Sequence, residues 1–393
     1  MNRSPLTAAD IDWLQTPAAQ KLFAAFAEHG DIPRAVVALR KRHPGERVRL
    51  VAAQVELRHR AREKFTAANQ MFFSATLLEQ ATDEWIASHK AHRFGGADRV
   101  VDLCCGLGGD LTALARATVA CRGIDRSDEA VSLAAANTQV AGVDVEVRCA
   151  EASECDLEGA LLHIDPDRRA TGQRATRVES FSPPASLIAQ WIERAAAGGV
   201  KIAPASEPPT EWTDGRTERE WIGGRGECRQ QMLWFGDIVQ TSGRRRATVV
   251  ASDGSAESIV ESDRAVDAVA PRLLDYLYEP HAAVLAAHLS GALAERLGLA
   301  AVAPGACYFT SDRFVTTPLA ACFRIVESAP FDRKRWRSLL RARGVGRLEI
   351  KKRGVDIAPD ELRKSLRLKG DSAATLIVVR RGEQVVGVLA ERM

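Results

Sequence analysis

Metal-binding spacing is missing from this sequence. Its 393 residues include 8 cysteines, but no CxxC pair and no Cys/His cluster with zinc spacing, and only Cys104 and Cys105 lie close together. Neither a disulfide framework nor a structural metal is suggested, so the chain is expected to be metal-free. No apolar run approaches the ~20 residues needed to cross a bilayer. The start, MNRSPLTAADIDWLQ, carries acidic residues where a secretory signal would carry its apolar core. A cytoplasmic protein with no membrane partner is the expectation. Tandem repeats and low-complexity tracts are lacking too. What remains, 46% hydrophobic and 27% charged residues, is the balance of an ordinary globular protein. The length allows two or three separate cores.

The net charge of +3 conceals an asymmetry. From Phe331 to Met393 there are 17 Lys/Arg against 8 Asp/Glu, a net of +9, which leaves the other 330 residues at −6. A second basic stretch, Arg34 to Lys64, holds 10 basic and 3 acidic residues. Segregated charge of this kind suits a polyanionic partner such as RNA, whereas solvated Arg-rich helix faces are the plainer explanation.

The periodicity divides the chain. Residues 1–66 read as helical, with AAQKLFAAFAEHG closing on Gly30 as a C-terminal cap. TLLEQATDEWIASHKAHRF then reads as one helix, followed by alternating strands and helices: RVVDLCC, VACRGID, VEVRCAEA, ALLHIDP and VKIAPA are the strands. Strands separated by helices imply right-handed βαβ units and a parallel, doubly wound sheet. QQMLWFGDIV and RRRATVVAS follow without an intervening helix and are expected to pair antiparallel at the sheet edge. Ser252 to Arg264 reads as a polar linker, RLLDYLYEPHAAVLAAHLSGALAERLG as helices, and the rest as a small basic α/β unit.

VVDLCCGLGGDLTAL, residues 100–114, is a strand that ends in a Gly-rich turn and restarts as a helix. A P-loop would need a Lys after the glycines, and none is there. A dinucleotide turn, G-x-G-x-x-G, would need a third glycine where Leu111 stands. Asp102 lies inside the strand, where an unpaired buried carboxylate is costly. S-adenosylmethionine presents an ammonium and a sulfonium and no phosphate, so it would use that carboxylate, while Gly106 and Gly108 let backbone approach. Cys104, Gly109 and Asp110 of the same turn are further candidates. Asp125 ends the second strand in GIDRS, 19 residues after Gly106, where an acid accepts from both ribose hydroxyls, with Arg126 beside it. Glu151, in RCAEAS, is the candidate for the adenine edge, with Asp156 as its competitor.

The D-x-x-x-G-x-G run resembles class I S-adenosylmethionine-dependent methyltransferases, over about residues 67–250. DLCCGLGGDLTALA, DPDRR and LEIKKRGVDIAPDELRKSLRLKGDSAATLIVVRR together look like bacterial methyltransferases that end in a THUMP-like domain. THUMP domains bind RNA, and the THUMP-like label implies a related fold. In these enzymes, as in the cap-guanine methyltransferases they distantly resemble, a segment before the first strand folds over the cofactor. KFTAANQMFFSATLLEQAT holds that place, so the resemblance implies Phe73, Thr76, Glu79 and Gln80 in the cofactor pocket. The expected architecture is an α/β Rossmann-like methyltransferase domain (67–260), with an N-terminal helical region (1–66) and a small basic THUMP-like α/β domain (261–393).

HIDPDRR ends the fourth strand, beside the transferred methyl group in this fold. Amine methyltransferases typically carry (D/N)-P-P-(F/Y/W) there, to accept from the target amine and stack on a flipped base. Here Asp165 and Pro166 are kept, and Asp167 and Arg168 replace the second proline and the aromatic. No cysteine stands in or next to DPDRR to attack a pyrimidine ring, so transfer to a nitrogen or oxygen of RNA is expected, with Asp165, Pro166, Arg168 and Arg169 as the catalytic set. Arg174 and Arg177 would add phosphate contacts. His163, His281, His288, Trp191 and Trp221 read as structural. Two other readings stand beside this one: a small-molecule or protein methyltransferase with an accessory domain, and a non-catalytic RNA-binding protein with a vestigial methyltransferase fold.

Overall fold

Hydroxyl and carboxylate caps divide the N-terminal residues into short helices. The computed structural model describes residues 5–167, 181–263 and 268–393. It begins with α1 (Ala8–Leu14), α2 (Pro17–His29), α3 (Ile32–Leu39) and α4 (Gly45–Ala61). Thr7, Thr16 and Asp31 cap the first three by accepting backbone N–H bonds, and Gly30 ends α2 at φ 65°. Their apolar faces, among them Leu22, Phe26, Val51 and Leu57, share one core with Leu107, Leu133 and Ala136 further along the chain. The helices are thus part of the same compact unit as the sheet that follows.

That first unit runs to Arg219 and takes in Gln230–Gly243 and Ser252–Ser255. Its elements are α5 (Ala75–Gln80), α6 (Glu84–Ala91), β1 (Arg99–Leu103), α7 (Gly109–Ala117), β2 (Ala120–Asp125), α8 (Asp128–Val140), β3 (Glu146–Cys149), β4 (Leu161–Ile164), α9 (Ala185–Arg194) and β5 (Ala197–Ile202). Two long strands come next, β6 (Glu218–Gly224) and β7 (Glu227–Gly236). Within the unit the strands run in the order β3-β2-β1-β4-β5-β7. The first five are parallel and β7 pairs antiparallel with β5. Strand order reverses between β1 and β4, which opens a crevice at their carboxyl ends, the ligand site of doubly wound sheets.

The second unit contains Glu220–Arg229, Arg244–Ala251 and the chain from Ala256 onward. Strands β8 (Arg245–Val250) and β9 (Ala256–Val260) pair antiparallel. Then come β10 (Tyr276–Pro280), α10 (Ala282–Ala286), α11 (Ser290–Leu297), β11 (Ala300–Ala301), β12 (Phe309–Ser311) and β13 (Ala320–Pro330). The chain closes with α12 (Arg333–Ala342), β14 (Val345–Arg353), α13 (Pro359–Leu366), β15 (Ser372–Arg381) and β16 (Gln384–Arg392). A seven-stranded sheet takes the order β11-β12-β10-β13-β16-β15-β14. Trp336 and Leu340 of α12 and Leu362 and Leu366 of α13 pack on Leu348, Ile350, Leu376 and Val378.

Four expectations need correction. The single helix read from Thr76 to Phe94 is broken between α5 and α6, where Asp83 caps α6 by accepting from Ile86 N. Tyr276–Pro280 is a strand, since a Tyr-Leu-Tyr run favours a pleated surface and Pro280 stops it. The linker read at Ser252–Arg264 contains β9. Strands β7 and β8 are not neighbours: β7 takes β5, β8 takes β9, and β6 was not foreseen.

Candidate active site

Strand β1 ends at Leu103, and the next residues turn sharply. Cys104 (φ 62°), Gly106 (φ 56°) and Gly108 (φ 87°) all adopt the left-handed region, which is uncommon for a cysteine. Gly106 is the point of close approach. Its N–H donates to Asp125 Oδ2 at 3.0 Å, and among the described residues a Cβ there would meet Leu77 alone, at 3.9 Å. Asp125 Oδ1 accepts from the Ser127 N–H at 3.0 Å, so two backbone donors fix this carboxylate at the end of β2. Burial nevertheless raises its pKa. Gly108 answers a different need, since a Cβ would press on the Ala134 backbone at 3.2 Å. It lets α7 and α8 close up.

The turn forms one wall of a cavity of about 620 Å³. The other walls are the ends of β2 and β4, the residues after β3, and the segment from Thr76 to Thr82. Seven carboxylates line it: Glu79, Asp110, Asp125, Glu129, Glu151, Asp165 and Asp167. Among the described residues Arg126 is the one cation in the lining. A phosphate-bearing nucleotide would meet repulsion here, whereas a nucleoside carrying an ammonium and a sulfonium finds a complementary charge.

The segment over the cavity is pinned at its end. Lys64 Nζ donates to the carbonyls of Leu78 (2.8 Å), Glu79 (3.1 Å) and Ala81 (2.7 Å), which caps α5 and breaks the helix there. Gln80 Nε2 donates to Asp167 Oδ1 at 3.3 Å. From the opposite lip, Arg126 donates to Ser182 Oγ at 3.0 Å and lies 3.9 Å from Asp167. Asp167 and Ser182 are themselves joined by two backbone hydrogen bonds, of 2.8 and 3.1 Å.

Behind the cavity runs a buried chain of charges. Lys201 Nζ lies 2.5 Å from Asp165 Oδ2 and 3.1 Å from Thr82 Oγ1. Thr82 Oγ1 donates to Asp110 Oδ2 at 2.7 Å, and Lys90 pairs with Asp110 Oδ1 at 2.7 Å. Lys90 Nζ lies 3.1 Å from His163 Nε2, and His163 Nδ1 lies 2.7 Å from Asp102 Oδ1. Burial pushes the Asp110 carboxyl up, but Lys90, with His163 and Lys201 beyond it, reverses this and holds it well below the usual range. Burial lowers the Lys90 ammonium, with Asp110 opposing, and raises Asp102.

Two Mycobacterium tuberculosis proteins, each described as an uncharacterised S-adenosylmethionine-dependent methyltransferase, are 30% identical to this chain over 347 residues, which is 86% of this chain and 94% of theirs. The chain belongs to the S-adenosylmethionine-dependent methyltransferases. Residues 320–392 match the family described as THUMP domain-like, and residues 7–61 match a domain of unknown function. A crystal structure of a methyltransferase candidate from Porphyromonas gingivalis W83 shares the fold. Its TM-score is 0.74 at 22% identity, covering 89% of this chain and 92% of that one. The cofactor of this methyltransferase is S-adenosylmethionine, and the acid-lined cavity fits it.

The structure distributes the sequence-derived residues unevenly. Thr76, Glu79, Gln80, Cys104, Gly106, Gly109, Asp110, Asp125, Arg126, Glu151, Asp165 and Pro166 all line the methyltransferase cavity. Asp102 does not. It is fully buried against His163, and its Oδ2 has no partner among the described residues, so direct contact with a ligand ammonium is not what its geometry provides. Phe73 is also absent from the lining, buried in the N-terminal core with its ring 5.9 Å from Phe65 and its N–H donating to Gln54. Gly108 serves helix packing, as above. Asp156 is exposed beside Arg99, away from the cavity, while Glu151 lines it. Arg168, Arg169, Arg174 and Arg177 lie outside the described residues.

Sequence reasoning missed Lys90, Lys201 and Thr82. Lys201 carried one legible signal, a lone cation inside the apolar strand VKIAPA. Thr82 carried none, since its role comes from the helix break that places it.

Proposed function

We propose that this methyltransferase modifies a nitrogen or oxygen of RNA, with Asp165 orienting the acceptor. The observation that carries the reading is the uncompensated charge of the second unit. Arg333, Lys334 and Arg335 on α12, Arg347 and Lys352 on β14, Lys364 on α13 and Lys369 after it are exposed. None has an ion-pair partner among the described residues, and all lie in the stretch that matches the THUMP domain-like family. Such a surface suits a phosphate backbone, which positions without specifying sequence.

When bound, S-adenosylmethionine supplies an electrophilic methyl group and leaves as a neutral thioether. The protein's own residues do the rest. Asp125, fixed by Gly106 and Ser127, accepts from ribose hydroxyls, and Glu151 meets the adenine edge. Asp165 offers an oxygen with no hydrogen-bond partner among the described residues. It accepts the hydrogen of an acceptor N–H or O–H and takes the proton as the new bond to carbon forms. Positioning of the acceptor against the methyl group supplies much of the rate.

The test is nucleoside mass spectrometry on RNA from cells with and without the protein. A methylated nucleoside that disappears on deletion is expected. An unchanged profile would turn the reading to a small-molecule or protein acceptor.

A further inference from the structure

Placing a lysine in the middle of a sheet is costly, and an apolar residue of similar volume is often as good or better for stability. Lys201 stands in β5, where all six residues are buried. Its side chain is 5% exposed, yet its ammonium is fully engaged. It meets Asp165 Oδ2 at 2.5 Å, Thr82 Oγ1 at 3.1 Å and the Gln80 carbonyl at 3.4 Å. Those are three acceptors for three N–H bonds.

The acceptors come from two sides of the cavity. Asp165 belongs to the turn after β4, whereas Gln80 and Thr82 end the segment that lies over the cavity. Thr82 donates its hydroxyl hydrogen to Asp110 Oδ2, which leaves its oxygen lone pairs for Lys201. Asp110 is held in turn by Lys90. The overlying segment, the ammonium and the Asp165 carboxylate therefore form one polar cluster, and Asp165 keeps its second oxygen for the cavity.

We infer that Lys201 is a positioning residue, which holds Asp165 in its acceptor-facing orientation only while the Thr76–Thr82 segment is seated. This rests on the reading of Asp165 given above. Seating the segment over the cofactor orders Asp165, so the acceptor side is assembled after the cofactor side. By linkage the coupling is reciprocal: loss of the Asp165 carboxylate loosens the end of the segment. A lysine that merely filled space in β5 would transmit nothing between the two.

The experiment is hydrogen exchange, read peptide by peptide on the full chain, with and without saturating S-adenosylhomocysteine. Wild type is expected to gain protection both at residues 74–82 and at residues 161–167. Lys201→Met should bind S-adenosylhomocysteine about tenfold more weakly, since the segment loses its bonds at Gln80 and Thr82, and at saturating ligand the protection at 161–167 should still fall about tenfold or more. Lys201→Arg, which keeps the cation, should restore most of it. Equal protection at 161–167 in wild type and Lys201→Met overturns the inference. Should Lys201→Met fail to fold, Asp165→Ala reads the coupling from the other end. Faster exchange at 78–82 supports it, and exchange as in wild type overturns it. Activity in Asp165→Asn equal to wild type would instead sink the reading of Asp165 as the acceptor-orienting group, whatever the exchange data show.

Discussion

Asp125 and Asp110 both line the cavity, yet they do different work. Asp125 is already held by two backbone N–H groups, so truncation removes a prepared acceptor without emptying a core. Two hydrogen bonds to a charged group are worth about 1.5–3 kcal/mol each. Asp125→Ala should therefore weaken S-adenosylhomocysteine binding by about 100-fold or more in calorimetry, and it should also lower Tm, since the Gly106 and Ser127 N–H groups lose their acceptor. Asp110 is paired with Lys90, and both are buried. Asp110→Asn leaves that ammonium unpaired and should cost about 3–5 kcal/mol. The pH dependence follows from the direction of its shift. A carboxyl held below its unfolded value stabilises fully above about pH 4 and loses that contribution as pH falls toward the folded value. The Tm gap between wild type and Asp110→Asn should thus be widest near neutrality and shrink in acid. Asp125 and Asp165 were legible in the sequence because strand-end acids announce themselves by position. Lys90 was not, since WIASHKAHRF looks like any amphipathic helix until Asp110 and His163 are known to face it.

At the scale of elements, the break between α5 and α6 matters most. Helical periodicity runs straight through TLLEQATDEWIASHKA, and nothing local stops it except Asp83, a cap in waiting. The stop comes from Lys64, 14 residues before Leu78, whose ammonium takes three carbonyls at the end of α5. That is a tertiary cause, and periodicity cannot carry it. Lys64→Met should release these carbonyls, speed amide exchange across 75–81 and weaken S-adenosylhomocysteine binding by about tenfold, as a fraying cavity wall shares its ordering cost with the ligand. The parallel strands, by contrast, were readable. RVVDL and VKIAPA are apolar runs bounded by turn residues, and burial on both faces leaves just that pattern. Strand β10 was not readable, because YLYEP sits next to a helical run and its partners β12 and β13 are remote in sequence.

For the whole molecule, the separation of charge seen in the sequence falls between the two units. Carboxylates gather around the cofactor cavity of the first unit, and uncompensated cations gather on α12, β14 and α13 of the second. If those cations grip phosphates, RNA affinity should fall steeply with salt, with a slope of log Kd against log salt of about 0.7 per single-stranded contact. Arg333→Glu with Lys334→Glu should flatten that slope by about two contacts in a filter-binding titration and leave S-adenosylhomocysteine binding as it was. A salt-insensitive affinity would contradict the role given to this surface. The most direct measurement is transfer of labelled methyl from S-adenosylmethionine into RNA purified from cells that lack the protein, comparing wild type with Asp165→Asn. Label should enter the RNA with wild type and fall by about 100-fold or more with Asp165→Asn, while binding of S-adenosylhomocysteine persists. No label in RNA with wild type, or equal label with both, would contradict the account.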